Sequence, residues 1–180
     1  MKLLLWISLP LFIADQVTKY LIVENYDPPT QYYVDEDPVI DGFFYIHRVH
    51  NTGVAFGTFN NSPWANYVFG FVASCALIAL LYFYRKNAFP TRIGKLSVAL
   101  LVPGILGNLC DRIVYGYVVD FLSFDLHFKL PPWAASTRFA SFNIADACIC
   151  VAAVLLFITA WQTPPDEEDE ESGAKKSKSS

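Results

Sequence analysis

The chain has 180 residues, 54% of them hydrophobic and 17% charged, with a mean hydropathy of +0.33. A soluble domain normally carries nearer a quarter charged residues, and here the apolar residues gather in blocks of about twenty, the length that crosses ~30 Å of hydrocarbon as a helix. The formal net charge of −4 says little about partners, because much of it lies in DEEDEE at 166–171, which then runs into AKKSKSS. Composition therefore implies an integral membrane domain over 1–163 and a disordered, charge-segregated cytoplasmic tail over 164–180, with no sign of a nucleic-acid partner.

The first apolar block, 3–23, resembles a signal peptide at its start, but it continues through Asp15 and Lys19 instead of breaking at a small-residue cleavage site, so it reads as a retained transmembrane helix. Asp15 and Lys19 are four residues apart and share a face. Asp15 stands ~18 Å along the helix from Leu3, which places a self-neutralising structural ion pair towards the far side of the membrane. Residues 25–64 form a hydrophilic excursion with strand character: YYV at 32–34 and GFFYIHRVH at 42–50 are aromatic and β-branched. NTGVAFG at 51–57 follows, with two glycines suited to a tight turn.

The second helix is expected over about 64–84 and the third from about 93 to 112. Arg85, Lys86, Arg92 and Lys95 crowd the loop between them, and the positive-inside rule places that loop in the cytoplasm. Both termini then face inward, residues 25–64 lie outside, and Trp64 and Trp161 mark opposite interfaces. Pro103 and Gly104 should bend the third helix, while Gly104 and Gly107 permit close packing. The fourth helix is expected from about Phe142. Cys75, Cys110, Cys148 and Cys150 all fall in apolar segments without metal-site spacing and read as free buried thiols. His47 and His50 lie in a strand-like loop and His127 stands apart; no metal site or cofactor is expected.

The polar residues concentrate in GILGNLCDR at 104–112, VVDF at 118–121 and FNIAD at 142–146. Asn108, Asp111 and Arg112 share a helix face, with Asp111 clustered beside Arg112. Asp120 follows near the outer boundary, and Asp146 lies in the first turns of the last helix, at a similar depth. Neither has a cation nearby in sequence. Two such carboxylates side by side share a proton, an arrangement suited to peptide hydrolysis: one takes a proton from water while the other, protonated, polarises the scissile carbonyl. The residues leave alternatives open. Asn143 to Asp146 also has the form of a capping box, and Asp120 of an ordinary interfacial acid. A small channel or transporter would use the same groups as an ion relay, although the cytoplasmic halves of the helices are nearly free of charge. No GxSxG, P-loop, dinucleotide fingerprint or HExxH occurs.

DQVTK at 15–19, NTGVAF at 51–56, GILGNLCDR, VVDF and FNIAD, in this order, resemble lipoprotein signal peptidase (signal peptidase II), a family of four-helix membrane aspartic peptidases. The resemblance implies an all-α membrane fold with a small extracytoplasmic sheet from residues 25–50 and a lid-like loop over 122–141, whose Leu126, Phe128, Leu130 and Trp133 meet lipid. It implies an inner-membrane endopeptidase that cleaves bacterial prolipoproteins before a diacylglyceryl-modified cysteine. Asp120 and Asp146 would be the catalytic dyad. Asn51, Asn108, Arg112 and Asn143 would support the dyad or hold the substrate backbone, and Asp15, Lys19 and Asp111 would be structural. Substrate and membrane lipids are the implied partners of a monomer. Two positions depart from the family pattern: Pro103 replaces a glycine, and Ala147 a serine.

Overall fold

The computed structural model describes residues 2–30, 34–53, 64–128 and 137–162. The charged tail, Tyr32 and Tyr33, the second half of NTGVAFG, and Leu130 and Trp133 lie outside them. Four helices are described, α1 (Lys2–Asn25), α2 (Ala65–Arg85), α3 (Arg92–Val114) and α4 (Ile144–Gln162), with three strands, β1 (Glu36–Ile40), β2 (Phe44–Asn51) and β3 (Val118–Phe124). All four helices are long and apolar enough to cross a membrane, and they begin within about two residues of where the apolar blocks placed them.

The helices are inside-out relative to those of a soluble bundle. Along α1, Leu5, Leu9, Ile13 and Val17 are exposed, whereas Ser8, Asp15, Lys19 and Ile22 are buried. Apolar side chains can face lipid at no cost, while polar ones must find partners inside. α3 is the hub, packing on α1, α2 and α4. α2 packs on α3 and buries only Ala65. The hub works because α3 is slim where it is crossed. A Cβ on Gly104 would meet the Ala145 carbonyl oxygen at 2.7 Å and the Ile149 side chain at 2.6 Å, and one on Gly107 would collide with the Asp15 carboxylate.

Pro103 is buried within a single α3. Proline has no N–H, so the carbonyl four residues earlier, at Ala99, loses its helical donor. Ser8 of α1 donates its hydroxyl to that oxygen at 2.7 Å. The freed carbonyl is thus satisfied by a neighbouring helix, as an apolar setting requires.

The sheet sits at the end of the bundle where α1 and α3 finish. Its order is β1-β2-β3, antiparallel throughout, with register breaks between Pro38 and Ile40 and between Ile46 and Val49. Ile22 of α1 packs with Val119 and Phe121 to form the core beneath it. VVDF, expected only as a boundary segment, is the strand β3. Of the segment expected as a lid, residues 122–124 belong to β3, and Asp125 bridges Arg138. Of its apolar residues, Leu126 is half-buried and Phe128 exposed.

Candidate active site

The backbone brings the two carboxylates together before any side chain acts. Phe142 pairs with β3 on the edge opposite β2: its carbonyl accepts from Phe121 N–H at 3.1 Å and Leu122 N–H at 2.9 Å, and its own N–H donates to the Leu122 carbonyl at 3.1 Å. That pairing delivers Asn143 and the first turn of α4 beside Asp120. Val49 of β2 faces Asp120 from the other side, and the strand ends two residues later at Asn51.

Asn143 touches both acids. Its side-chain amide donates to Asp120 Oδ1 at 2.8 Å, and its backbone N–H donates to Asp146 Oδ2 at 3.2 Å. Asn51 supplies the second donor to Asp120, Nδ2 to Oδ2 at 3.0 Å, and Asn108 supplies the second to Asp146, Nδ2 to Oδ1 at 2.7 Å. These four donors are neutral amides. Asp120 is 2% exposed, and its carboxyl is pushed up to about 7, first by burial and then by the neighbouring charge of Asp146, while the amides of Asn51 and Asn143 pull the other way. The capping box is also present: Asp146 N–H donates to Asn143 Oδ1 at 2.9 Å, reciprocating the Asn143 N–H bond. One asparagine therefore starts the helix and joins the pair.

A second polar cluster lies beneath, and its chemistry is different. Lys19 Nζ is 3.0 Å from Asp15 and 2.8 Å from Asp111, and it donates to Asn108 Oδ1 at 3.0 Å. Asp111 was expected to cluster with Arg112, but its ion pair is with Lys19; helical spacing gave the face correctly and not the partner. Both aspartates also tie down backbone. Asp15 accepts from Ala145 N–H of α4 at 2.9 Å, and Asp111 accepts from Val119 N–H of β3 at 3.0 Å. Gln16, which sequence reasoning passed over, donates to both carboxylates and to the Gly107 carbonyl. The cluster thereby fastens α1, α3, β3 and α4 to one another, and Asn108 links it directly to Asp146.

Arg112 Nη1 donates to the Asn108 carbonyl at 3.1 Å, and its guanidinium lies over the Phe69 ring. Of NTG, Asn51 Oδ1 accepts from Gly53 N–H at 3.1 Å, which fixes the side chain that reaches Asp120. Ser141 Oγ lies 2.7 Å from His47 Nε2, a pair that resembles a serine nucleophile and base. The adjoining amides of Phe142 and Asn143 are already committed to Leu122 and Asp146, so they offer no oxyanion hole. Among the described residues, no group of three or more His, Cys, Asp or Glu is arranged to hold a metal ion, and the four cysteines are free thiols.

Known proteins resemble this chain along nearly its whole length. The family profile described as "Signal peptidase (SPase) II" matches residues 7–162. The lipoprotein signal peptidase of Shewanella sediminis is 35% identical over 171 residues, covering 93% of this chain and 88% of that protein. That of Syntrophotalea carbinolica is 35% identical over 161 residues, covering 89% and 92%. Two bacterial membrane enzymes solved by the in meso method superpose closely. One, at 2.3 Å resolution, has a TM-score of 0.73 and 30% identity over 88% of this chain and 87% of its own; the other, at 1.9 Å, has a TM-score of 0.74 and 28% identity over 89% and 94%. With four membrane-crossing helices, the small sheet and this extent of similarity, the chain is a multi-pass membrane peptidase that belongs to the signal peptidase II, or lipoprotein signal peptidase, family.

Proposed function

We propose that the protein is an aspartic endopeptidase that removes the signal peptide from bacterial prolipoproteins, cutting before a diacylglyceryl-modified cysteine. The observation that carries this reading is the carboxylate pair itself: a buried Asp120 and a half-buried Asp146 on different elements, bridged by Asn143 and held by amide donors. Neutral donors orient carboxylates without fixing either as an anion, so a proton can pass through the pair.

Asp120, raised to about 7, holds the proton and donates it to the scissile carbonyl oxygen, while Asp146 takes a proton from the attacking water. The resulting gem-diol collapses as Asp120 takes back a hydroxyl proton, Asp146 gives its proton to the departing amine of the new N-terminal cysteine, and the signal peptide keeps the carboxyl group. Asn51, Asn108 and Asn143 hold the acids in place. Arg112, bonded to the Asn108 carbonyl, is assigned to the substrate backbone. In this reading the sheet and the pair face the extracytoplasmic side of the inner (plasma) membrane, with both termini in the cytoplasm. There the lipid anchor stays in the bilayer while the scissile bond is presented at fixed depth. The protein acts as a monomer.

The test is cleavage of a diacylglyceryl-modified prolipoprotein by purified wild type, Asp120→Asn and Asp146→Asn in lipid. Release of signal peptide by the wild type and its loss in both folded variants supports the dyad. Full activity in either variant removes that residue from catalysis.

A further inference from the structure

Arg48 was not singled out by the sequence, yet it occupies a junction. It is 7% exposed, in the stretch of β2 where the register with β3 breaks between Ile46 and Val49. That break is accompanied by burial of two successive residues, His47 and Arg48, which a regular strand would send to opposite faces. The guanidinium then reaches the C-terminal end of α1, the residue that precedes β3 and a neighbour on its own strand. Nη1 donates to the carbonyls of Val23 at 3.0 Å and Tyr26 at 3.1 Å, Nη2 donates to the Tyr117 hydroxyl at 3.1 Å, and Nε donates to His50 Nε2 at 2.9 Å. His50 in turn stacks on Tyr117, with ring centroids 3.8 Å apart.

Each contact has a physical reason. Val23 is among the last carbonyls of α1, which have no donor within the helix, and a cation at that end suits the helix dipole. The planar fork with fixed donors makes several such bonds at once, which an ammonium cannot copy. The His50 imidazole, held down to about 4 by burial and by the Arg48 charge, is neutral at working pH and keeps Nε2 as an acceptor.

The two positions that Arg48 ties to α1, His50 in β2 and Tyr117 just before β3, both lead to the carboxylate site. His50 adjoins Asn51, which donates to Asp120, and Tyr117 adjoins the first residue of β3, the strand that carries Asp120. We infer that Arg48 is a positioning residue for peptide cleavage: it clamps the ends of β2 and β3 to the C-terminus of α1, and so sets where Asn51 and Asp120 stand relative to Asp146 on α4. This rests on the dyad reading above. Asp111, through Val119 N–H, holds β3 to α3; Arg48 holds the sheet to α1, and the two anchors together fix its orientation over the bundle.

A misplacement of about 1 Å can cost on the order of a hundredfold in rate without loss of binding. Arg48→Met is therefore expected to lower kcat on a diacylglyceryl-modified prolipoprotein by about tenfold or more, with KM within about twofold of wild type. Tyr117→Phe removes only the link to β3 and is the variant that decides if Arg48→Met does not fold; a kcat loss of about threefold is expected. Combined with Arg48→Met, it should add nothing further, because both break one connection. Asp120→Asn is measured beside them. If it is inactive while Arg48→Met and Tyr117→Phe turn over like the wild type, or lose only in KM, Arg48 is not a positioning residue. If Asp120→Asn cleaves normally, it is the dyad reading that fails.

Discussion

The Lys19 cluster and the Asp120–Asp146 pair lie one hydrogen-bonded residue apart and use the same kind of acid, yet their surroundings divide them. Asp15 and Asp111 share an ammonium and accept backbone N–H groups from other elements. Such carboxylates are paired to a cation, and their value is to hold helices and strand together. Asp120 and Asp146 share Asn143 and receive neutral amide donors. On the proposed reading, an embedded carboxylate serves the framework or the chemistry according to whether its partner is charged. Asn108 stands between the two, accepting from Lys19 and donating to Asp146.

The largest effects should come from crossing that division. Asp120→Asn and Asp146→Asn are each expected to reduce cleavage by a factor of about 10²–10⁴ or more while the protein stays folded. Lys19→Met should do the reverse. It strands two buried carboxylates, and breaking such a pair costs about 3–5 kcal/mol, so the yield of folded protein and its Tm should collapse together. If Lys19→Met is as stable as the wild type and merely slow, the cluster belongs to the chemistry and the division is wrong.

The next prediction separates the acids by pH. A protonated Asp120 is needed in the proposed mechanism, so kcat should fall as pH rises through about 7. The folded carboxyl lies above its unfolded value of about 3.9. Its burial is therefore tolerated at low pH and costs increasing stability as pH rises through about 7. Asp120→Asn should accordingly gain Tm over the wild type, more at about pH 8.5 than at about pH 5.5. A thermal-shift series at fixed ionic strength measures this, and an equal gain at both values would show that Asp120 is ionised throughout. The smallest effect is expected far from either cluster. Ser8→Ala removes the donor to the Ala99 carbonyl and should cost about 1 kcal/mol, whereas the same change in a Pro103→Ala background should cost less, since the alanine restores the helical N–H.

How much of this was legible follows from the range of each interaction. The four helices could be read because blocks of apolar residues are local, and Asp15 with Lys19 because one helical turn brings them together. Asp120 and Asp146 stood out by lacking any nearby cation, and Asn143 by its capping box. β3 was missed because VVDF follows directly on a long apolar helix, while its partner strand comes some seventy residues earlier in the chain; nothing local announces that pairing. Arg48 was missed for a related reason, since its reach depends on a register break that no residue pattern in GFFYIHRVH signals. Asp111 was matched to Arg112 because sequence shows only neighbours on the same helix, and Lys19 arrives from another.

Asn143 also bears on how the protein is made. Asp120 is synthesised before the residues that complete its surroundings: the bridging amide, Asp146 and the Ala145 N–H that Asp15 grips all come with the fourth helix. A nascent chain already threaded through three spans would carry one of the proposed catalytic acids without its mate. Proteolytic competence would thus arrive with the final membrane insertion event, and products of stalled translation would be inert.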